Sequence, residues 1–385
     1  MFHKTLVNKL VKALEKITTG SIELTLPDNS KYNFYGNDEA HIVIEVLKWQ
    51  ALSNVAFKGD IGFVESYSDG LIEVSDIEKF FYIATKNIDV LGNFGNGNII
   101  ANCMAKILYN IRSNTILGSK KNIHAHYDLG NEFYSLWLDP SMTYSSAIFA
   151  NDNEDLVNAQ YNKYDRIIER LGIDNGKLLE VGCGWGGFAE RATTKTNLDL
   201  KAITISDQQY NFAKQRLSGN AFISNEDYRL QDGKYDGLVS IEMFEAVGEK
   251  FWPIYFKKCK SLLKNTGKSI IQTITIDNNH FKYYRNHSDL IRTYIFPGGM
   301  LPSKERFTQE TRKAGMHVSD MYSFGKDYAK TLKIWLEDFD KAIPKIKLMG
   351  FDEKFIRIWR CYLSACIAGF IVGKTDVIQA EICHA

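Results

Sequence analysis

Apolar side chains at Phe2, Leu6, Leu10, Ala13, Leu14 and Ile17 recur at helical spacing, and Lys4, Lys9, Lys12 and Lys16 fall on the rest of that surface. The spacing predicts an amphipathic helix over residues 2–17. The plainer expectation is a helix packed on its own small domain; a basic helix lying on anionic lipid is the functional alternative. Runs at 21–27, 31–35 and 41–46 read as short strands, with Asp28-Asn29-Ser30 as the turn between the first two. Residues 75–112 read as helices, so residues 1–118 form a small α/β domain with no catalytic motif. The polar stretch Leu117-Gly118-Ser119-Lys120-Lys121-Asn122 marks the boundary, and residues 119–385 form a second domain. There the pattern alternates: helix 156–171 closed by Gly172, strand 177–181, helix from Phe188 to Thr194, strand 200–205, helix 207–217, strand 235–241, helix 252–263 and strand 268–276. Strands alternating with helices predict an α/β doubly wound, mostly parallel sheet.

A length of 385 residues fits two domains, and 45% hydrophobic with 24% charged residues is ordinary for a globular chain with a core that needs no disulfides. A net charge of +1 gives no global field toward nucleic acid, so no nucleic-acid partner is expected. Twenty Tyr and 23 Phe imply large apolar surfaces or pockets. Cys103, Cys183, Cys259, Cys361, Cys366 and Cys383 form no C-x-x-C pair, and His124, His126 and His287 lack zinc-site spacing. Reduced thiols in a cytoplasmic protein, and no metal site, are the expectation. No run of 18 apolar residues predicts a spanning helix, and the lysines before Gly20 break any signal-peptide core.

The segment Leu178-Leu179-Glu180-Val181-Gly182-Cys183-Gly184-Trp185-Gly186-Gly187 leaves a strand and opens a helix. Gly182, Gly184 and Gly187 keep the G-x-G-x-x-G spacing that lets a backbone approach a nucleotide, and Gly186 lies in the same turn. Glu180, two residues before the first glycine, favours S-adenosylmethionine and hence a class I methyltransferase of Rossmann-like fold. Asp207, after the second strand, keeps an NAD-dependent dehydrogenase open as the alternative.

Further segments occur in a fixed order: His126-Tyr127-Asp128-Leu129-Gly130-Asn131, Met142-Thr143-Tyr144-Ser145-Ser146-Ala147, Met243-Phe244-Glu245-Ala246-Val247-Gly248, Tyr294-Ile295-Phe296-Pro297-Gly298-Gly299 and Tyr328-Ala329-Lys330-Thr331-Leu332. With the glycine loop, and from about residue 122 to 370, they resemble the cyclopropane-fatty-acid synthase family, which includes the mycolic acid cyclopropane synthases. The N-terminal domain resembles the extra domain of the members that act on bacterial phospholipid.

That resemblance implies transfer of a methyl or methylene group from S-adenosylmethionine to the double bond of an unsaturated phospholipid acyl chain. The product would be a cyclopropane, a methylene branch or a methyl branch. It places Tyr144, Ser145, Gly182, Gly184, Thr204, Gln209, Asp227, Tyr228 and Ile241 around the cofactor. It also implies a bicarbonate held by positions corresponding to Ser146, Glu245, Gln272, Ile274 and Tyr328. Ser146 and Gln272 stand where the family has Cys and His; they still donate hydrogen bonds but supply no thiolate or imidazolium. Glu245 suits stabilisation of the positive charge that methyl transfer leaves on the chain, whereas Glu242 and Glu249 read as surface or structural carboxylates. Residues 278–300 combine Phe281, Tyr283, Tyr284, Tyr294 and Phe296 with Lys282, Arg285 and Arg292, which suits a lipid interface as well as it suits a solvated insertion. The expected setting is the inner face of a membrane, peripherally bound. A homodimer, and a non-catalytic lipid-binding relative, stay open.

Overall fold

The computed structural model describes residues 2–95, 114–116, 118–119 and 129–385. The motif residues 126–128, His124, Cys103 and much of the expected boundary segment lie outside the described residues, as does the part of the expected helices beyond residue 95. The chain divides into two compact units. One takes Met1–Tyr109 together with Tyr283–Ile295 and Asp340–Val372; the other takes Asn110–Lys282, Phe296–Phe339 and Gly373–Ala385. Two later segments therefore join the first unit, where a single cut near residue 118 had been expected.

In the first unit, strands β1 (Ser21–Thr25), β2 (Lys31–Tyr35), β3 (His41–Val46) and β4 (Ile72–Val74) form a sheet in the order β2-β1-β3-β4. β1 and β3 run parallel, and the other neighbours run antiparallel. The helix Phe2–Leu14 buries Leu6, Val7 and Leu14, while Lys4, Lys9, Lys12 and Lys16 are exposed. Its apolar stripe is thus spent on the unit's own core, beside Ile22, Leu24, Ile42 and Val64. The helix Glu353–Val372 is long and apolar enough to cross a membrane by length and composition, with a mean hydropathy of 1.5 over its most apolar stretch. Arg357 and Arg360 interrupt it, so a search for an unbroken apolar run passes over it. Half of that stretch is buried within the protein, including Trp359, Cys361, Leu363 and Ile367. A core helix passes the same test, and such packing accounts for its composition.

The second unit is built on β5 (Asn175–Val181), β6 (Asn197–Thr204), β7 (Phe222–Asn225), β8 (Tyr235–Ile241), β9 (Leu263–Ile276), β10 (Met316–Ser323) and β11 (Thr375–His384). Their order is β10-β11-β9-β8-β5-β6-β7. The five strands β5 to β9 are parallel, and β11 inserts antiparallel between β9 and β10. The doubly wound class is therefore as expected, with an antiparallel edge that the sequence reading, which stops at residue 276, does not contain.

Local chemistry sets the helices that frame the sheet. Asp155 caps Leu156–Leu171 by accepting from the Asn158 amide, and Gly172 closes it in the left-handed region at φ 65°. Ser206 caps Asp207–Leu217 in the same way. Leu178, Leu200 and Val239 fill the layer between sheet and helices with Ile167, Phe188 and Ala213. The carboxyl ends of β5, β6 and β8, at the reversal of strand order, are where such sheets take ligands.

Candidate functional site

β5 delivers Glu180 and the glycine turn. Backbone amides of Gly182 and Cys183 both bond Ile203 O, at 2.9 and 3.0 Å, which pins the turn to the end of β6. A Cβ on Gly182 would meet the Met243 side chain at 2.7 Å, and one on Gly186 would meet Leu217 at 3.1 Å. Those two glycines admit neighbouring protein. Gly184 is different: at φ +54° its missing Cβ would meet nothing within 4 Å among the described residues. It is the glycine of this turn that faces open space, and it forms the cradle a nucleotide needs.

Thr204 and Gln209 are joined side chain to side chain at 2.9 Å beside the same turn. Asp227 is clasped by Arg229 through both carboxylate oxygens, at 2.8 and 2.6 Å, so its carboxylate is a structural anchor as well as a candidate ligand group. Among the described residues, Tyr228 leaves a buried hydroxyl with no partner, and Glu180 leaves a buried Oε2 with none. Burial pushes the Glu180 carboxyl up to about 8, moderated by Lys163. Orphaned polar atoms beside an open glycine turn fit a ligand that carries an ammonium, hydroxyls and an aromatic base. Bound there, S-adenosylmethionine supplies an electrophilic methyl group.

Tyr144 stands in an aromatic cluster, with ring centroids 5.5 Å from Tyr134 and Trp137, 5.4 Å from Trp335 and 6.3 Å from Phe296. Tyr328 meets Trp335 edge-on at 6.2 Å. Such faces attract a sulfonium or a carbocation and exclude water from it. Ser145 accepts from the buried Lys163 Nζ at 2.7 Å, and Gln160 holds the Ser145 carbonyl at 3.0 Å. Burial pulls the Lys163 ammonium down to about 7, against the attraction of Glu242, Asp139 and Glu180.

Three of the remaining residues expected to act, Ser146, Gln272 and Tyr328, meet around a residue the sequence reading set aside. Glu242 follows β8 and sits in the left-handed region at φ 50°. Its Oε1 accepts from the Ser146 amide at 2.9 Å and from Gln272 Nε2 at 2.7 Å; its Oε2 accepts from the Tyr328 hydroxyl at 2.5 Å. Its own amide bonds the Gln272 carbonyl at 2.8 Å. Glu242 is therefore neither a surface nor an isolated structural carboxylate. Glu249, by contrast, pairs with Arg306 at 3.5 Å.

Glu245 accepts from the Ile274 amide at 2.5 Å through Oε1, and its Oε2 is buried without a partner among the described residues. Burial, then the nearby Glu242 charge, pushes its carboxyl up to about 8. The pair is asymmetric: Glu242 accepts three hydrogen bonds and Glu245 one, and burial raises the Glu242 carboxyl against the lowering by those three bonds and by Lys163. With three donors aimed at it, Glu242 is the better placed of the two to carry the negative charge that faces a developing cation. The signal that could have found it was present in Ile241-Glu242-Met243-Phe244-Glu245, two carboxylates three residues apart directly after a buried strand.

Sheet order, glycine turn and aromatic chamber together define an S-adenosylmethionine-dependent methyltransferase. The sequence profile of the mycolic acid cyclopropane synthetase family matches residues 117–380, and the chain belongs to that family. It is 32% identical over 366 residues to the cyclopropane-fatty-acyl-phospholipid synthase of Escherichia coli, covering 90% of this chain and 92% of that one. It is 37% identical over 275 residues to a tuberculostearic acid methyltransferase of Mycobacterium tuberculosis, covering 68% of this chain but 64% of that relative's length. A crystal structure of a mycolic acid cyclopropane synthase complexed with SAH and CTAB superposes with a TM-score of 0.64 at 31% identity, over 68% of this chain and 97% of that one. These relatives do not favour the dehydrogenase or the non-catalytic alternative.

Two outcomes follow. Gly184→Val fills the open cradle and strains a left-handed turn, so S-adenosylmethionine binding measured by calorimetry should be abolished while the fold persists. Glu245 keeps its proton up to about 8 when folded, against a value of 4.5 otherwise, so unfolding between those values releases a proton and rising pH lowers stability. Melting temperature should fall from about pH 5 to pH 7; Glu180, held at about 8 by burial, acts in the same direction, so Glu245→Gln should remove part of the fall. Lys163, held at about 7, contributes little in that window because it is protonated in both states through most of it.

Proposed function

We propose that this chain transfers a methyl group from S-adenosylmethionine to the double bond of an unsaturated phospholipid acyl chain, yielding a cyclopropane or a methylene-branched chain, the latter becoming methyl-branched only by a separate reduction. The observation that supports it most is the aromatic chamber of Tyr144, Trp137, Trp335 and Tyr328, which adjoins the buried carboxyls of Glu242 and Glu245. An isolated alkene is a weak nucleophile, and its attack needs alignment, dryness and stabilisation of a carbocation. Aromatic faces and the Glu242 charge supply the stabilisation. Phospholipid as the acyl carrier is supported by the near full-length likeness to the Escherichia coli enzyme, which extends through the first unit.

The substrate is met at the membrane surface by reversible, peripheral binding, and the first unit serves that contact or self-association. Lys4, Lys9, Lys12 and Lys16 are exposed beside a buried apolar stripe, so this helix offers charge rather than insertion. In the aromatic and basic stretch, Lys282, Tyr283, Arg285 and Tyr294 are exposed. Arg292 is not part of that surface: it is buried and bonds Asp289 and the Tyr284 carbonyl.

With S-adenosylmethionine and vesicles of a mono-unsaturated anionic phospholipid, lipid mass spectrometry should show acyl chains heavier by one CH2 unit; unchanged lipid with a bound cofactor would defeat the assignment. Co-sedimentation with the same vesicles should be strong at low salt and weaken as salt rises, and equal recovery in the supernatant with and without vesicles would exclude membrane docking.

A further inference from the structure

The groups that the family resemblance assigns to a bound bicarbonate are already engaged by carboxylates of the protein. Ser146 N–H, Gln272 Nε2 and the Tyr328 hydroxyl all donate to Glu242, and Ile274 N–H donates to Glu245. The residues present therefore do not fit a bicarbonate: its donors are spent, and a further anion would join two carboxyls in a desolvated space. We propose that the Glu242 carboxylate stands where a soluble bicarbonate would bind and is itself the base that removes the proton after methyl transfer. This inference rests on the lipid-methylation reading above.

Three further features support the assignment. First, Oε1 of Glu242 accepts two hydrogen bonds and is saturated, whereas Oε2 accepts the one from Tyr328 and keeps a lone pair for an incoming proton. Second, Glu242 occupies a backbone conformation, φ 50°, that a glycine takes freely and a side chain adopts at a cost of about 1 kcal/mol. A carboxylate is kept there against that cost, as at strained functional positions elsewhere. Third, the donors are aimed from outside. Arg166 donates to Gln379 Oε1 at 2.7 Å, and Gln379 Nε2 donates to Gln272 Oε1 at 3.0 Å. The Gln272 amide can then present only its NH2 group to Glu242. A neutral amide and a peptide N–H suffice at these positions because the anion they hold is covalently attached and need not be captured from solution.

The step balances. The alkene π pair forms the new C–C bond as the C–S pair returns to sulfur, leaving a cation on the neighbouring chain carbon. Glu242 Oε2 takes a proton either from the transferred methyl, two bonds from that cation, or from a carbon next to it; a 1,2-hydride shift that carries the cation to the methyl-bearing carbon makes the methyl such a neighbour and gives the methylene branch. The freed C–H pair closes the ring if the proton comes from the transferred methyl through its 1,3 relation to the cation, or forms a double bond if it comes from an adjacent carbon.

The test compares the wild type with Glu242→Gln and Glu242→Gly in buffer stripped of dissolved carbon dioxide. Wild-type turnover on the unsaturated lipid should be the same with and without added bicarbonate, and 13C-labelled bicarbonate should show no binding by NMR line width. Glu242→Gln should retain cofactor affinity and lose turnover roughly 100- to 1,000-fold. Glu242→Gly relieves the backbone and vacates the seat, so it should bind labelled bicarbonate and regain part of the lost turnover when bicarbonate is added. Wild-type binding of bicarbonate, or turnover that stops without it, overturns the proposal, as does full turnover in a folded Glu242→Gln. If the wild type modifies no lipid, the methylation reading fails, while the two NMR measurements still decide whether Glu242 fills the anion seat.

Discussion

The second unit's chemistry depends on the direction of one amide. Gln272 lies at the centre of β9, fully buried, between β8 and β11. A glutamine there could turn either end toward Glu242, and the wrong end would set oxygen against oxygen. Arg166 settles the choice from a helix turn away, because a guanidinium can only donate. Its bond fixes the Gln379 amide, which fixes the Gln272 amide, which fixes the carboxylate. Every group in that series is satisfied, which is the condition under which buried polar networks hold one arrangement. The insertion of β11 beside β9 is therefore more than an edge to the sheet, since it carries Gln379 into the register facing Gln272.

Around that fixed point the protein concentrates ionisable groups where water is scarce. Glu180, Glu242, Glu245 and Lys163 are all displaced from their ordinary protonation behaviour, with burial as the largest cause in each case. Two carboxyls near one another separate into an ionised and a protonated form, and one lysine offsets part of the remaining charge. A cationic cosubstrate entering such a space finds negative charge already in place, so the electrostatic work is done at folding rather than at the moment of reaction.

Much of this was legible in the sequence, for reasons specific to each segment. β5 and its glycine turn, β8, and the helices closed by Gly172 and opened by Ser206 carry buried runs or caps that local rules recognise. β10, by contrast, reads Met-His-Val-Ser-Asp-Met-Tyr-Ser and keeps one buried position, so no period betrays it. The helix Glu353–Val372 joins the first unit although it lies more than 200 residues further along, and no local pattern reports a return of the chain. Glu242 was missed because a glutamate directly after a strand is ordinary, even with Glu245 three residues on. Its meaning lies in Ser146, Gln272 and Tyr328 converging on it from three separate segments.

The left-handed turn at Glu242 has one more consequence. A dissolved base leaves with the proton it has taken, whereas a side chain keeps it. Each cycle must then end with a proton relayed outward before the next acyl chain can enter. The hydroxyl of Tyr328, shared with Oε2 at 2.5 Å, is the first link such a relay could use. The resting interval between turnovers would then be set by rehydration of a chamber built to stay dry.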